Sequence, residues 1–474
     1  MQDARHGRDG ALTGIVTRRA VLVGIGAAMT SLLAACGGSA PAPSAPASGS
    51  GSAPTTAPTT AAAAPPVAAP AATTAPAGKP ASGAAAAPAA TDLDAAAAAI
   101  AKEVGWSPED DRVGVTDTEI KIGSWQIFSG PQAASKVQND AYEGYFKMLN
   151  EQGGVHGRKI TWIPYDDGYD PSRTPGVAKK LIEEDKVFSL VGAPGTPNNL
   201  AVMQYVLEKK VPNFFPQTGS SRWSTPLNRT YFGLSTNYTV DGTLLAEYAI
   251  KEMSAKKIAT LYQDDAFGRE GADGFKATFE KLGSKPIVEI GVQPADSDYS
   301  SAVLKLQQAD PDVVCQYIIS SSAAKLANEC QKQGFTKPFV GSYVTPDPSF
   351  LKLSGEAAEG YVFGSVFPLA DSDDPGVKKY IEVMNKYEPQ TVIGVLNQWA
   401  YANAETFGQV LQVARRNLTR SRLIAAAESL KDWSGDLARN VSYSPTDHRG
   451  MTSIFLVQVK GGKLVQIAGY RGAA

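Results

Sequence analysis

The chain has 474 residues, of which 43% are hydrophobic and 19% charged, and its formal net charge is −2. This length exceeds one ordinary compact core, so we expect two or more lobes. The near balance of charge argues against a nucleic-acid partner, which needs a basic surface. Three Cys and three scattered His argue against a disulfide framework and a His-built metal site, and we expect no metal ion or cofactor.

Residues 1–36 are typical of an export signal. Arg18 and Arg19 precede the apolar run AVLVGIGAAMTSLLAA, which ends at Cys36. This run is too short for a membrane span and suits a signal peptide. Its ending, LLAACGG, resembles a bacterial lipoprotein signal, so we expect lipidation of Cys36. An ordinary signal with an incidental Cys, and export by the twin-arginine route, remain alternatives.

Residues 37–112 are predicted to form a disordered tether. Between Gly37 and Thr91 the chain is built almost wholly from Ala, Pro, Ser, Thr and Gly, and Lys79 is its only charged residue. Such a composition has no burial pattern and is expected to stay unfolded. At its end, TDLDAAAAAIAKEV predicts one short helix capped by Thr91 or Asp92.

From Glu119 onward, predicted strands and helices alternate. Strands are predicted at EIKIGSW, KITWIPY, VFSLVG and VPNFFP, and helices at SKVQNDAYEGYFKMLNEQGG, TPGVAKKLIEEDK and NNLAVMQYVLEKK. Helices between consecutive strands indicate parallel pairing, because each crossover needs about a dozen residues or more.

The alternation then begins again with the helix TLLAEYAIKEM and the strand KIATLYQ. It continues through REGADGFKATFEKLG, PIVEIGV, YSSAVLKLQQA, PDVVCQYII, AAKLANECQKQG and KPFVGS. Two further helices, PGVKKYIEVMNKY and NQWAYANAETFGQVLQVARR, precede the strand TSIFLVQVK and a hairpin turn at Gly461 and Gly462. Two such sets predict an α/β protein with two doubly wound, Rossmann-like lobes.

The stretch VFSLVGAPGTPNNLAVM joins a predicted strand to a predicted helix. In open parallel sheets, ligands lie beyond the carboxyl ends of strands, where helix N-termini present free N–H groups and partial positive charge. Gly195 allows a close approach of the backbone, and Thr196 offers a hydroxyl. We therefore expect Gly195 and Thr196 to hold an oxygen-rich group of a small ligand. The alternative is that Thr196, Pro197 and Asn198 only cap the helix.

Catalytic signatures are missing from the sequence. It contains no G-x-S-x-G elbow, no H-E-x-x-H and no G-x-x-x-x-G-K-[ST] loop, so we expect a protein that is not an enzyme. Cys315 and Cys330 fall on a strand and on the helix after it, and are predicted to be buried free thiols. A disulfide between them is the alternative.

Seven segments between about Thr118 and Gln466 carry a family resemblance through their order and spacing. They are IKIGSWQIFSGP, YFKMLNEQGGVHGRKI, YDDGYDPSRT, KVFSLVGAPGTPNN, YQDDAFGREGADGFK, DPDVV and SYSPTDHRG. With them the chain resembles the type I periplasmic binding proteins, specifically the branched-chain and hydrophobic amino-acid receptors of ABC importers. The resemblance implies two lobes joined by three hinge segments. Residues 113–236 and 367–444 would form the first lobe, and residues 237–366 and 445–474 the second.

The resemblance also implies further ligand-binding residues. Related receptors use Ser or Thr at the place of Thr196, and FFPQTGSSRW matches their second donor loop, which implies roles for Gln217, Thr218 and Ser220. Gly219 falls where many relatives carry Thr. Tyr343 stands where amino-acid receptors usually place an acidic residue that pairs with the ligand's ammonium group.

The residue at position 343 affects which class of ligand can bind, because a buried ammonium group without a carboxylate partner costs free energy. Asp347 lies in the same loop, but we expect it to cap the helix that begins at Pro348. We therefore expect a small amino-acid-like molecule, or a carboxylate, amide or aromatic acid, bound by the residues above with Tyr343. Trp125 and Phe267 lie near strand ends and are further candidates, although each could equally belong to a lobe core.

These expectations combine into one predicted function, a lipid-anchored solute-binding protein of an ABC importer. It would act as a monomer on the outer face of the cytoplasmic membrane, in the periplasm or at the cell surface. Its lobes would close on the ligand and present it to a membrane permease that works with a separate ATPase. An extracytoplasmic sensory protein, or an exported hydrolase that uses the cleft, are the alternatives.

Overall fold

A computed structural model of the protein describes residues 90–472, so the predicted signal peptide, Cys36 and most of the predicted tether lie outside the described residues. The described part begins with helix α1 (Ala90–Val104), which confirms the helix predicted there. No helix within residues 90–472 combines the length and the apolar character needed to cross a membrane.

The first sheet contains the strands β1 (Glu119–Gln126), β2 (Lys159–Asp166), β3 (Ser189–Val191), β4 (Asn213–Phe214) and β5 (Tyr231–Phe232). All its pairings are parallel, in the order β2-β1-β3-β4-β5. The helices between the strands are α2 (Val137–Glu151), α3 (Thr174–Lys179), which continues as a π-helical turn over Lys180–Glu184, and α4 (Thr196–Glu208).

The second sheet has a parallel part with the same strand order. Its parallel strands are β6 (Ile258–Gln263), β7 (Pro286–Val292), β8 (Val313–Tyr317), β9 (Phe339–Gly341) and β10 (Val362–Ser365). They are arranged as β7-β6-β8-β9-β10. The accompanying helices are α5 (Tyr238–Glu247), α6 (Ala266–Lys281), α7 (Ser300–Ala309), α8 (Ser320–Lys332) and α9 (Pro348–Ser354). The fold is therefore two doubly wound α/β lobes, as predicted.

After β10 the chain returns to the first sheet through α10 (Pro375–Tyr387), α11 (Val395–Ala414) and α12 (Arg420–Glu428). Phe407 of α11 packs edge-on against Phe214 of β4, with ring centroids 5.5 Å apart. The guanidinium of Arg420 donates to the carbonyl oxygens of Phe188 and Val187 at 2.9 and 2.8 Å. The first lobe is therefore built from two separate parts of the sequence.

The last crossing to the second sheet falls later than the predicted boundary at residue 445. A short ribbon of β11 (Ser442–Ser444) and β12 (Asp447–Gly450) stays with the first lobe, because Gly233 N donates to His448 O at 2.9 Å. The chain then joins the second sheet as β13 (Ser453–Lys460), which pairs antiparallel with β10 and with β14 (Lys463–Gly472). The β13–β14 hairpin turns at Gly461 and Gly462, which both have positive φ, as the sequence predicted.

The central strands are buried on both faces, which explains their nearly continuous apolar sequences. Every residue of β3 and β8 is buried, whereas β7, at the edge of its sheet, alternates between exposed and less exposed positions. Burial of apolar surface on both faces of each sheet contributes the main stabilisation of the two lobes.

The folded part begins earlier than residue 113, where the tether was predicted to end. Leu93 and Ile100 of α1 are buried in the hydrophobic core, and α1 packs on α12. Asp94 forms an ion pair with Arg422, and the carboxylate of Asp111 accepts hydrogen bonds from the backbone and hydroxyl of Ser421 at 2.7 and 2.6 Å. These contacts fix residues 90–112 on the first lobe.

Candidate functional site

Each of the two sheets has a topological switch point, the place where doubly wound folds bind ligands. In the first sheet it lies between β1 and β3, and in the second between β6 and β8. One cavity of about 60 Å³ is lined by the segments that follow β1, β3, β6 and β8, together with those after β4 and β9. The cavity therefore joins the switch points of both lobes.

Both lobes contribute to the cavity wall, which consists of hydroxyl, amide, aromatic and aliphatic groups. The first lobe provides Ile127, Gln132, Ser135, Gln138, Tyr169, Pro194, Gly195, Thr196, Gln217, Thr218, Leu396 and Trp399, and the second provides Tyr238, Phe267, Ile319, Ser320 and Val344. No Asp, Glu, Lys, Arg or His is among them. The cavity has room for about four or five water molecules, so a larger ligand requires the lobes to move apart.

Larger hollows lie elsewhere on the described residues. Two of them, of about 660 and 310 Å³, are bordered by Leu369, Asp371 and Leu464, close to the β13–β14 hairpin. A third has about 400 Å³, and a fourth, of about 640 Å³, is lined by residues around Ser221 of the first lobe and Asp265 of the second. None of these four joins the switch points of both sheets. We therefore place the candidate ligand site in the smaller cavity, where the two switch points meet.

Two threonines from neighbouring strand ends meet on the first-lobe wall. The hydroxyl oxygens of Thr196 and Thr218 are 2.5 Å apart, and the two side chains have relative exposures of only 2% and 3%. Gly195, with φ of 88°, precedes Thr196, and a Cβ at this position would lie 2.4 Å from Asn198 Oδ1. Only glycine therefore allows the loop to turn so tightly into helix α4.

Helix α4 begins at Thr196 without a side-chain cap. The amide of Asn198 instead donates to Asp167 Oδ2 at 2.8 Å and to Thr174 Oγ1 at 3.1 Å, so it does not cap the helix. The alternative prediction, in which this segment serves only as a cap, is therefore not supported at Asn198. The partial positive charge at the start of α4 lies beside the cavity, where it favours an oxygen-rich group.

The second-lobe wall is aromatic. Phe267 packs edge-on against Tyr238, with ring centroids 5.0 Å apart. Burial raises the pKa of Tyr238, an effect that the hydroxyl of Thr218 partly offsets across the cavity. Burial likewise raises the pKa of Tyr169, which reaches from the first lobe towards Asp265 and Gln263 of the second. These phenols are neutral hydrogen-bonding groups at physiological pH.

Asp241 lies behind this aromatic wall. It is fully buried, and its Oδ2 accepts hydrogen bonds from Tyr317 Oη at 2.9 Å and from Tyr343 N at 3.4 Å. Its Oδ1 has no partner among the described residues. Burial raises the pKa of Asp241 to about 7, and these hydrogen bonds offset only part of that effect.

The structure places five of the predicted site residues on the cavity, namely Gly195, Thr196, Gln217, Thr218 and Phe267. The amide of Gln217 is already engaged within the first lobe. Its Nε2 donates to Leu396 O at 2.9 Å, and its Oε1 accepts from Tyr142 Oη at 3.3 Å. Gln217 therefore holds the wall in position, and among these five residues the two threonine hydroxyls are the polar side-chain groups left to face the cavity.

Three other predicted site residues do not line the cavity. Tyr343 is fully buried and donates from Oη to Thr236 O at 2.7 Å, one layer behind Tyr238. Trp125 packs in the first-lobe core and donates from Nε1 to Pro194 O at 3.1 Å. Ser220 caps a short 3₁₀ turn by accepting from Arg222 N.

Asp347 and the two cysteines lie away from the cavity. Asp347 caps α9 by accepting from Ser349 N at 3.0 Å, as expected, and it does not line the cavity. Cys315 and Cys330 are buried free thiols, as predicted. In the described part of the chain, no group of three His, Cys, Asp or Glu side chains is placed to hold a metal ion.

Several cavity residues were not predicted from the sequence, because they come from helices or from the turn after β2. They include Gln138 of α2, Trp399 and Leu396 of α11, and Tyr169. Helix α11 is buried along nearly its whole length, so its sequence gives no sign of which residue faces a ligand. The only available signal on α11 was the large, partly polar side chain of Trp399 within an otherwise buried helix.

Known proteins resemble this chain in sequence and in fold. Residues 119–463 match the family model of periplasmic binding proteins. A Leu/Ile/Val-binding protein homolog 3 from Brucella melitensis is 26% identical over 253 residues, which cover 52% of this chain and 67% of that protein. An amino acid binding protein from Pseudomonas aeruginosa is 24% identical over 192 residues, or 40% of this chain, and the match spans only about half (51%) of its own length.

A solved structure extends the comparison to the fold. The fatty acid ABC transporter substrate-binding protein from Thermomonospora curvata superposes with a TM-score of 0.69 and is 25% identical, covering 76% of this chain and 94% of that chain. The family match covers most of the described residues, and both lobes have the expected strand order. The chain therefore belongs to the periplasmic binding proteins, with the type I fold of their branched-chain amino acid branch.

Proposed function

We propose that the protein is the extracytoplasmic substrate-binding subunit of an ABC importer, and that its ligand has an oxygen-bearing polar end, an apolar body and no cationic group. The observation that carries this ligand class is that no charged side chain stands among the described residues that line the cavity. A carboxylate or amide suits the Thr196 and Thr218 hydroxyls and the start of α4.

An amino-acid zwitterion fits this wall poorly. Its ammonium group would be buried without a carboxylate partner, which costs several kcal/mol. Asp347 does not line the cavity, and Asp241 is separated from it by the aromatic wall. Relatives of the chain include proteins described as binding amino acids and one described as serving a fatty acid transporter. A carboxylate with an apolar body lies within that range.

The mechanism that we propose is closure of the two lobes around the ligand. The hinges are expected near Thr236, Val366 and the segment before Ser453, where the chain passes between the sheets. Contacts from both lobes favour the closed form only by the difference in ligand affinity between the two forms. A permease with an associated ATPase would recognise the closed protein, which we propose to be a monomer anchored through lipidated Cys36.

A matched set of compounds tests the proposed ligand class. Leucine, 4-methylpentanoate (leucine without its ammonium group), 4-methylpentanamide and 3-methylbutylamine (leucine without its carboxylate) share nearly the same apolar body. Calorimetry is expected to show that the carboxylate or the amide binds at least tenfold more tightly than leucine and the amine. Native mass spectrometry of the purified protein would identify any co-purified ligand. Tighter binding of leucine than of 4-methylpentanoate would contradict the proposal.

A threonine substitution tests the position of the site. Thr196→Val removes one hydroxyl from the cavity wall and is expected to lower the affinity for 4-methylpentanoate by about 1–2 kcal/mol. Thr406→Val is the matched control, because Thr406 is buried on α11 and its hydroxyl donates to Ala402 O at 2.7 Å. The control is expected to bind normally. Equal affinities for Thr196→Val and the wild type would show that the Thr196 hydroxyl does not contact ligand.

A further inference from the structure

Two polar groups of the cavity wall have no hydrogen-bond partner within residues 90–472. They are Nε1 of Trp399, on the second turn of α11, and Oε1 of Gln138, on the first turn of α2. The two side chains have relative exposures of 1% and 4%, so water outside the protein does not satisfy them. Buried polar groups are nearly always paired, and each unpaired one calls for a physical explanation.

Comparison with the other buried tryptophans makes Trp399 unusual. Trp106, Trp125 and Trp223 donate from Nε1 to the carbonyl oxygens of Lys210, Pro194 and Thr218, at 3.0, 3.1 and 2.8 Å. The relative exposures of these three residues are 8%, 0% and 1%. Among these four indoles, the one without an acceptor is the one that lines the cavity. Because Trp399 lines the cavity, an atom of a bound ligand is in position to accept the hydrogen bond of its Nε1.

The helices that carry the two unpaired groups, α2 and α11, pack against each other. Asn397 Nδ2, two positions before Trp399, donates to the carbonyl oxygen of Val137, the residue before Gln138, at 2.5 Å. Tyr343 packs edge-on against Trp399, with ring centroids 5.6 Å apart, and restricts the orientation of the indole. The first lobe thus presents one donor that cannot act as an acceptor, and one amide that offers both functions.

We propose that Trp399 and Gln138 form a second polar subsite, in which Trp399 Nε1 donates to an oxygen at the far end of the ligand. This inference rests on the proposed function, because it assumes that a ligand carboxylate or amide occupies the Thr196 and Thr218 end. Gln138 Oε1 accepts from the same ligand group. The group that satisfies both is a carboxamide or a hydroxyl, so the ligand class narrows to short carboxylates with such a group at the other end.

Three compounds of equal size and shape test this subsite. 4-Methylpentanoate has a methyl-branched end, 4-oxopentanoate replaces one methyl by a carbonyl oxygen, and succinamate carries both a carbonyl oxygen and an N–H₂ group. We expect 4-oxopentanoate to bind about tenfold more tightly than 4-methylpentanoate, and succinamate to bind more tightly still. Trp399→Phe is expected to abolish the preference for 4-oxopentanoate. Gln138→Leu is expected to abolish the additional preference for succinamate.

Control measurements separate a binding role from a structural one. Trp106→Phe removes a buried indole N–H that is bonded within the protein, and is expected to leave the order of the three affinities unchanged. In wild-type protein, the indole N–H resonance of Trp399, assigned from spectra of the wild type itself, should shift on addition of 4-oxopentanoate. This measurement decides the case even if Trp399→Phe folds poorly.

The possible failures are distinguishable. If 4-methylpentanoate binds but 4-oxopentanoate binds no more tightly, and the Trp399 resonance does not move, the subsite is overturned while the proposed function stands. The same conclusion follows if Trp399→Phe keeps the preference for 4-oxopentanoate. If none of the three compounds binds, the proposed ligand class fails, and the subsite fails with it.

Discussion

At the scale of single residues, the unusual residues at positions 219 and 343 are physically coupled. A Cβ on Gly219 would lie 2.1 Å from Tyr343 Oη and 2.8 Å from Tyr238 Cε1, which is closer than real Cβ contacts. The hydroxyl of Tyr343 is fixed there by its hydrogen bond to Thr236 O. Tyr343 thus occupies the space that a Thr at position 219 would need. The resemblance suggested two separate departures from the family pattern, but the structure shows one steric arrangement.

Asp241, also a single residue, makes the free energy of unfolding depend on pH. Its pKa of about 7 in the folded protein exceeds the ordinary value of 3.8 because the carboxylate is buried. Between these pH values the folded protein binds a proton that the unfolded chain has released. The contribution of Asp241 to the free energy of unfolding therefore falls as pH rises from about 4 to about 7, and stays low above that range.

The variant Asp241→Asn tests this pH dependence. It removes the buried charge, so it is expected to be more stable than the wild type at pH 8, by about 2–4 kcal/mol, and to lose this advantage as the pH falls towards 4.5. Urea denaturation between pH 4.5 and 8.5 measures the difference. Asp273→Asn, on the exposed side of α6, is the control and should follow the wild type. Parallel profiles for Asp241→Asn and the wild type would contradict the argument.

At the scale of elements, the spacing of apolar residues predicted most strands and helices of both lobes, because long amphipathic helices and apolar strands have clear patterns. Strand β5 was missed because its two residues stand between the largely polar stretches NRT and GLST, whereas the equally short β4 lies within the apolar run VPNFFP. Helix α12 was missed because two arginines, Arg420 and Arg422, interrupt its apolar face. Both are nevertheless buried, since their guanidinium groups bond backbone carbonyl oxygens. These hydrogen bonds reach residues outside α12, so the local sequence pattern does not reveal them.

The candidate site likewise combines residues that the local sequence predicted with residues that only the tertiary fold brings to the cavity. Gly195 and Thr196 directly follow a predicted strand, so the rule that ligands bind at strand ends located them, and the family resemblance added Gln217 and Thr218 at the next strand end. Trp399 lies within a helix that belongs to a later part of the chain. Only the return of α11 to the first lobe brings this residue to the cavity, and no spacing in the sequence records that return.

Helix α1 gives a prediction at this scale, because the sequence placed it within a tether and the structure packs it on the core. Ile100 of α1 has a relative exposure of 1%. Ile100→Ala is expected to lower the free energy of unfolding by about 2–4 kcal/mol, as other large-to-small changes in cores do. Ile287→Ala, at a position on β7 with 44% exposure, should cost less than about 1 kcal/mol. Urea denaturation compares the two variants. Equal effects would show that α1 does not stabilise the first lobe.

At the scale of the whole molecule, the two lobes contact each other directly beside the cavity. Gln132 Nε2 donates to Ser321 Oγ at 3.0 Å, and Ser221 N donates to Glu270 Oε1 at 2.5 Å. Each pair joins a residue of the first lobe to a residue of the second. These bonds stabilise the closed form before any ligand contributes. The balance between open and closed forms is therefore set partly by the protein itself.

Glu270→Ala tests how far this direct contact governs closure. Loss of the charged acceptor leaves Ser221 N unpaired in the closed form only, which costs about 1–2 kcal/mol and lowers the ratio of closed to open protein about 5- to 30-fold. Small-angle X-ray scattering without ligand should show a larger radius of gyration, and the affinity for 4-methylpentanoate should fall because less of the protein is competent to bind. Glu280→Ala, an exposed position on the same helix, is the control for a changed charge. If Glu270→Ala scattered and bound like this control, the contact between Ser221 and Glu270 would be a consequence of closure and would not help to hold the lobes together.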